Sequence, residues 1–231
     1  MSREIERPIN GNAKSAPPRR GRPPLSALQD RVDTREFLMQ AAGEVMIAND
    51  SADLSLSEIA EKTGLSAALV QYHFGNKEGL LVALLERDGA KAVKQLQELA
   101  EMDLPVTTKL RMHIGGLINA FFRAPYMNRL LNMLMQSEPG ENSRRVSELL
   151  VKLIAEFQRN LLEQGIAEGV FRPVPPMEFY FMVVGACDHL FARRTALAHV
   201  FGIEEITEEM KRHYARTLTS TILNGITIND R

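Results

Sequence analysis

The segment from Leu54 to Leu81, LSLSEIAEKTGLSAALVQYHFGNKEGLL, constrains the fold of this chain more than any other. Ser55-Leu56-Ser57-Glu58 has the spacing of a capping box, in which a serine side chain and a glutamate three residues on satisfy backbone N–H groups at a helix start. The amphipathic run behind it turns Ile59 and Ala60 inward and leaves Glu58, Glu61 and Lys62 to water. Gly64 ends that run, because a residue without Cβ takes up the left-handed conformation that closes a helix. Ser66 stands where it can cap a second short helix, Ala67 to His73. Asn76 can cap a longer one that runs from Lys77 past Leu99. Two short helices joined by a tight, glycine-containing turn form the unit that lays its second helix in the major groove of DNA. The same geometry also occurs as plain packing inside enzymes, but Gln71, Tyr72 and His73 have no packing role there.

Ahead of this unit, Phe37, Leu38, Ala41, Ala42, Val45 and Met46 recur at three- and four-residue spacing and predict a first helix over Asp33–Asn49. It should pack against Ile59, Leu65, Val70 and Phe74. The features Ile59-Ala60, Gly64-Leu65-Ser66, Tyr72-His73-Phe74 and Lys77-Glu78-Gly79-Leu80 fall in register, and together they resemble the DNA-binding domain of the TetR family of one-component repressors. The resemblance covers Val32 to Leu85, under a third of the chain. One position departs from it: Gln71 stands where the family usually carries Tyr. It implies double-stranded DNA as partner, with Ser66, Ala67, Ala68, Gln71 and Tyr72 facing the groove and His73 and Lys77 at phosphates. Lys77 sits at a helix N-terminus, where N–H groups and the helix dipole favour an anion.

Charge is unevenly spread. Overall it is −1. Residues 1–32 hold seven basic side chains against three acidic ones, a balance of +4. Residues 33–87 hold four against nine, a balance of −5. Non-specific DNA affinity comes mostly from neutralising phosphates. The missing positive field must therefore come from the N-terminal arm, residues 1–31, whose Pro, Gly, Ala and Arg content and lack of periodicity predict disorder. Its Arg20-Gly21-Arg22-Pro23 run resembles an AT-hook, in which two arginines follow a narrow minor groove. The alternative is a solvated tail that touches phosphates only.

From Pro105 on the chain reads as helices: Pro105 to Arg123, Pro125 to Ser137, Glu141 to Gly169, Met177 to Phe201 and Thr207 to Gly225, with a turn at Pro139-Gly140 and a proline-rich one at Val170–Pro176. No alternating strand pattern is present, so the fold class is all-α, with about nine helices. The helix from Met177 is apolar nearly all round at its start and must be covered on every face, by its own domain and by a ligand or another subunit. A chain of 231 residues accommodates two modest domains. The expected division is a three-helix helix-turn-helix domain over 32–85 and a helical ligand-binding and dimerisation domain over 86–231.

In the resembled family the last two long helices form a four-helix dimer interface, which here implies Phe191, Tyr214, Leu218 and Ile222 and a homodimer reading a palindromic operator. The family also implies a small-molecule effector. On the helices after the hinge, candidate walls for it are Met112, Leu117, Phe121 and Phe122, then Tyr126, Leu130, Met133 and Leu134, then Phe157, Phe179 and Met182. His113, Asn119, Arg123, Asp188 and His189 are the polar candidates. Eleven methionines suit an adaptable apolar cavity, and they equally suit a plain core.

Enzyme chemistry finds no support. There is no Gly-rich phosphate loop after a strand, no Cys/His cluster with metal spacing and no Gly-x-Ser-x-Gly. No cofactor is expected. No apolar run reaches the length of a membrane span, no secretory leader is visible, and the single Cys187 lies in an apolar run, all of which predicts a cytoplasmic protein with a buried thiol. The reading is thus a DNA-binding repressor released by an apolar or aromatic ligand; a helical protein-binding adaptor or a small all-α enzyme is the alternative.

Overall fold

The computed structural model describes residues 25–136, 144 and 147–228. The arm with Arg20 and Arg22, the Pro139-Gly140 turn and the start of the helix expected from Glu141 lie outside the described residues. The described chain forms α1 (Leu25–Ala48), α2 (Leu56–Thr63), α3 (Ala67–Phe74), α4 (Lys77–Glu101), α5 (Val106–Arg123) and α6 (Met127–Gln136). A π-helical turn (Ser147–Lys152) leads into α7 (Leu153–Ala167), followed by α8 (Pro176–Ala192), α9 (Arg194–Phe201) and α10 (Glu208–Ile226). Among the described residues the only β pairing is an isolated bridge between Phe171 and Thr227, which ties the turn after α7 to the end of α10.

Local chemistry sets the first elements. The Glu58 N–H donates to Ser55 Oγ at 3.1 Å, and the Ser55 N–H donates to the Glu58 carboxylate at 2.6 Å, completing the capping box. Gly64 closes α2 with φ +70°, and its N–H returns to the Ala60 carbonyl. Asn76 caps α4 through the Gly79 N–H at 2.7 Å. Ser66 occupies the N-cap position of α3 with no hydrogen bond from its side chain to the helix, contrary to expectation. α1 starts at Leu25, eight residues before Asp33, since Leu25 to Gln29 are ordinary helix formers directly after a proline pair.

Two cores result. The first gathers α1 through the front of α4: Leu38, Ala42 and Met46 meet Leu54, Ile59, Val70 and Leu80 to Leu85. Phe37 is half exposed, and Met39 takes its expected place inside. The second core joins the back of α4 (Leu96, Leu99) to α5, α7, α8 and the end of α10. α6 belongs with the first: Leu130 and Leu134 are buried in it and Met133 packs on it, so these three do not serve as cavity walls.

Three further boundaries differ from expectation. Pro125 lies in the turn before α6, two residues ahead of its start. The helix expected over 177–201 is broken at Arg193 (φ −122°, ψ 46°). The break is permitted because the Ala192 carbonyl, freed from the helix, accepts a hydrogen bond from Arg129 of α6. The π-helical turn before α7 was not legible as a separate element. The break at Arg193 accounts for the tenth helix.

Candidate nucleic-acid interface and effector cavity

α3 shows one face to solvent. Ser66, Ala67, Ala68, Gln71 and Tyr72 are exposed, and Val70 opposite them is fully buried against α1, α2 and α4. Spacing of 67, 68, 71 and 72 along a helix puts these side chains on one stripe. Two small alanines let the backbone approach a groove, and Gln71 carries the donor–acceptor pair that fits adenine. His73 and Lys77 are half-buried at the rim. The Tyr72 and His73 rings meet edge-on with centroids 5.2 Å apart.

Electrostatics modify this picture. Lys77 Nζ donates to Asp53 of the α1–α2 loop at 2.5 Å, and that contact holds the Asp53 carboxyl below its ordinary range. A phosphate at Lys77 must displace Asp53, which costs little because the pair is solvent-exposed. Sequence reasoning missed Arg35. Its guanidinium lies over the Phe74 ring, 5.1 Å from the centroid, which brings an exposed cation beside the end of α3. Its position near the start of the recognised segment was the available signal. The expected outcome of Gln71→Ala is a loss of ~1–3 kcal/mol with relaxed preference at one base per half-site. Lys77→Ala should weaken all sequences alike and lower the salt slope by about one per half-site. Binding titrations on matched operator variants at two salt concentrations check both.

The second feature is a cavity of about 260 Å³ between α4, α5 and α7. Leu96 and Leu99 line it from α4 and Met102 from just past its end, Met112, His113 and Leu117 from α5, and Leu153 and Ile154 from α7. A smaller extension of about 60 Å³ runs toward α6 and α8, bordered by Phe121, Met127, Asn128, Leu131 and Tyr180. Of the residues proposed from sequence, Met112, His113 and Leu117 line the cavity and Phe121 its extension. Phe157 borders a neighbouring groove with Lys109. The others lie elsewhere, each for a packing reason. Tyr126 is buried in the first core, where its hydroxyl donates to Asp88 of α4. Phe179 fills the second core, and Met182 is exposed on α8. Phe122 faces a separate cleft under the Lys211 ammonium. Asp188 is buried and accepts from Asn128 at 2.7 Å. The α4 walls went unrecognised because their apolar spacing reads as ordinary core.

His113 is the buried polar group of the cavity wall. It is buried, 2.9 Å from the Gln158 amide and tilted on the Phe157 ring. Burial lowers its pKa to about 4, so it is neutral at physiological pH. The folded value lies below the ordinary value of 6.5, so folding stability is lost as pH falls from there toward 4. That window should cost about 3 kcal/mol more in the native chain than in a His113→Phe variant, measured by denaturant unfolding at both pH values. Equal losses in the two proteins would contradict it. Burial likewise pushes the Cys187 thiol up to about 12 and leaves it unreactive.

The residues proposed for a dimer face divide. Phe191 is buried in its own core, edge-on to Phe122, and cannot meet a partner. Leu218 and Ile222 are half-buried, and Tyr214 donates its hydroxyl to the Ala186 carbonyl at 2.6 Å. The exposed large side chains of α8 are Met177, Phe181 and Met182. Among the described residues no helix is long and apolar enough to cross a membrane.

The sequence model of the tetracyclin repressor-like C-terminal domain matches residues 103–230, more than half of the chain, and that of the bacterial regulatory proteins of the tetR family matches 38–84. The chain belongs to the TetR family. Nucleoid occlusion factor SlmA of Shewanella baltica is 22% identical over 146 residues, 62% of this chain and 73% of that protein. The fold of this TetR-family chain matches that of FadR from Bacillus subtilis, solved with stearoyl-CoA, at TM-score 0.58 and 17% identity over 80% of this chain and 97% of that one. It also matches AibR, solved with isovaleryl coenzyme A and operator DNA, at TM-score 0.64 and 16% identity over 81% and 96%. As a TetR-family member the chain is a DNA-binding regulator and not an enzyme.

Proposed function

We propose that this regulator is a homodimeric repressor, released from a palindromic operator when a small apolar molecule enters the cavity between α4, α5 and α7. The observation that carries the reading is the double membership of α4. Its front half, Leu80 to Leu85, sits in the core that seats α3, and its back half, with Leu96 and Leu99, forms a cavity wall. A ligand that spreads the cavity tilts the same rigid helix on which the recognition helix rests. It acts only if it binds the tilted state better.

The lining defines the effector. It is mostly aliphatic, with neutral His113 as an inner polar contact, Gln95 at the rim and Glu98 as the only charged side chain among the described residues. Among the described residues the lining offers no cation to balance an anion, which favours an uncharged buried part: an acyl or aryl segment with at most one hydrogen-bonding group. The similar proteins solved with acyl-coenzyme A molecules are consistent with such a segment.

Mobility shifts on DNA upstream of the protein's own gene test the regulator reading. Binding should weaken steeply with salt, as counterion release requires. Unchanged mobility on several upstream fragments at low salt would remove it.

A further inference from the structure

The segment Tyr126–Arg129, where α6 begins, touches both halves of the molecule. Arg129 points its guanidinium at the α1–α2 loop, donating from Nη1 to the Asp50 carbonyl and from Nη2 to the Asp50 carboxylate. Nη2 also donates to the Ala192 carbonyl at the end of α8, at 3.3 Å. One side chain thus ties the DNA-reading unit to the C-terminal body. Asp50 has φ +48° and is the only non-glycine with positive φ among the described residues, a conformation the surrounding contacts must hold.

A second carboxylate is held by the neighbour of Arg129 in the chain. Asp188 of α8 is buried; Asn128, the residue before Arg129, donates to its Oδ2, and its Oδ1 has no hydrogen-bond partner among the described residues. Arg129 Nε is buried and equally unpartnered. Ala192, whose carbonyl Arg129 Nη2 reaches, lies one helical turn beyond Asp188 on α8, and Asn128 beside Arg129 is bonded to Asp188; burial raises the Asp188 carboxyl, while Asn128, Arg129, His189 and Arg193 act in the opposite direction. Buried polar atoms without partners are costly. Turning Arg129 onto Asp188 would satisfy both orphans as a charged pair, and it would release the Asp50 carboxylate.

We infer that Arg129 is a positioning residue with two alternative carboxylate partners, Asp50 and Asp188, and that the choice between them sets how the DNA-reading unit is seated. The inference rests on the DNA-binding regulator reading. The Asp50-held arrangement is the operator-competent one. It pins the loop whose Asn49 donates to Glu58 of the α2 capping box and whose Asp53 holds Lys77 at the start of α4. Both sides of α6 report to this choice. Leu130 and Leu134 are buried in the core of the DNA-reading unit, and Met127, Asn128 and Leu131 border the cavity extension. A ligand that presses on Asn128 moves the residue that holds Asp188, and so biases the partner that Arg129 takes.

The test uses the full-length protein and a duplex that the wild type selects from random DNA. Asp50→Ala keeps the main-chain carbonyl but removes the competing carboxylate, so Arg129 should turn to Asp188 and affinity should fall about tenfold. Asp188→Asn should bind at least as tightly as wild type. The double variant should recover most of the loss, because Arg129 then has only the residue 50 carbonyl to return to. Recovery by loss of a second buried group is not what a merely structural contact gives. Thermal melts identify any variant that fails to fold. The Arg129 Nε–H resonance, read in 15N-arginine-labelled protein, tests the exchange without DNA: it should move downfield in Asp50→Ala and return in the double variant. Asp188→Asn weakening the operator as much as Asp50→Ala, or an Nε–H resonance that stays in place in Asp50→Ala, would overturn the inference. A wild type that selects no sequence would instead defeat the DNA-binding reading and leave the resonance test standing.

Discussion

Phe181→Glu is expected to give a folded monomer that has lost tight operator binding. Phe181 is 67% exposed on α8, flanked by Met177 and Met182, also more than half exposed. An apolar patch of large side chains on one helix marks an interaction surface. Twofold association of this face with α10 would cover it and present two α3 helices to one duplex. A buried glutamate pair at the twofold interface is not tolerated. Each half-site alone is weak, and the linked pair gains ~10²- to 10⁴-fold, so the monomer should lose about that much. Sedimentation and operator titration read the two effects together. Charges at Leu218 or Ile222 should also split the dimer, but those side chains pack partly on the second core and would disturb the fold as well. An intact dimer in Phe181→Glu would move the interface to another face.

Gly79→Ala should unfold the link between α3 and α4. A Cβ built on Gly79 would lie 2.1 Å from the Phe74 carbonyl oxygen, a backbone atom that no side-chain rotation can move aside. The only chain between the two helices is Gly75-Asn76, and the Asn76 cap on the Gly79 N–H allows no slack. The end of the recognition helix must therefore shift. Overpacking of this kind costs ~1–3 kcal/mol or more, and operator binding should fall with it. Denaturant unfolding checks the first part; an unchanged midpoint would contradict the predicted clash.

The helix-turn-helix was legible because its signals are local. A capping box, a left-handed glycine and an Asn cap each act within four residues, and all three appear where the spacing placed them. Gly79 was legible as part of a motif, though its reason, the close approach of the Phe74 carbonyl, needed coordinates. Long-range features were not. Met112, Leu130 and Phe179 look alike in sequence, yet one lines the cavity, one fills the DNA-reading core and one fills the second core. The helix break at Arg193 has no glycine or proline to announce it; a guanidinium 64 positions earlier in the chain makes it possible. Arg129 and Asp188 carried no motif, and their relation to Asp50 exists only in three dimensions.

A dimer should read DNA through two copies of the α3 face formed by Ser66, Ala67, Ala68, Gln71 and Tyr72. Selection of bound duplexes from a random pool by the full-length protein tests it most directly. The expected result is an enriched inverted repeat whose half-site centres lie about one helical turn, ~10 base pairs, apart. Gln71→Ala should further relax one position in each half. Enrichment of no sequence, or of a single unrepeated element that Gln71→Ala leaves unchanged, would contradict it.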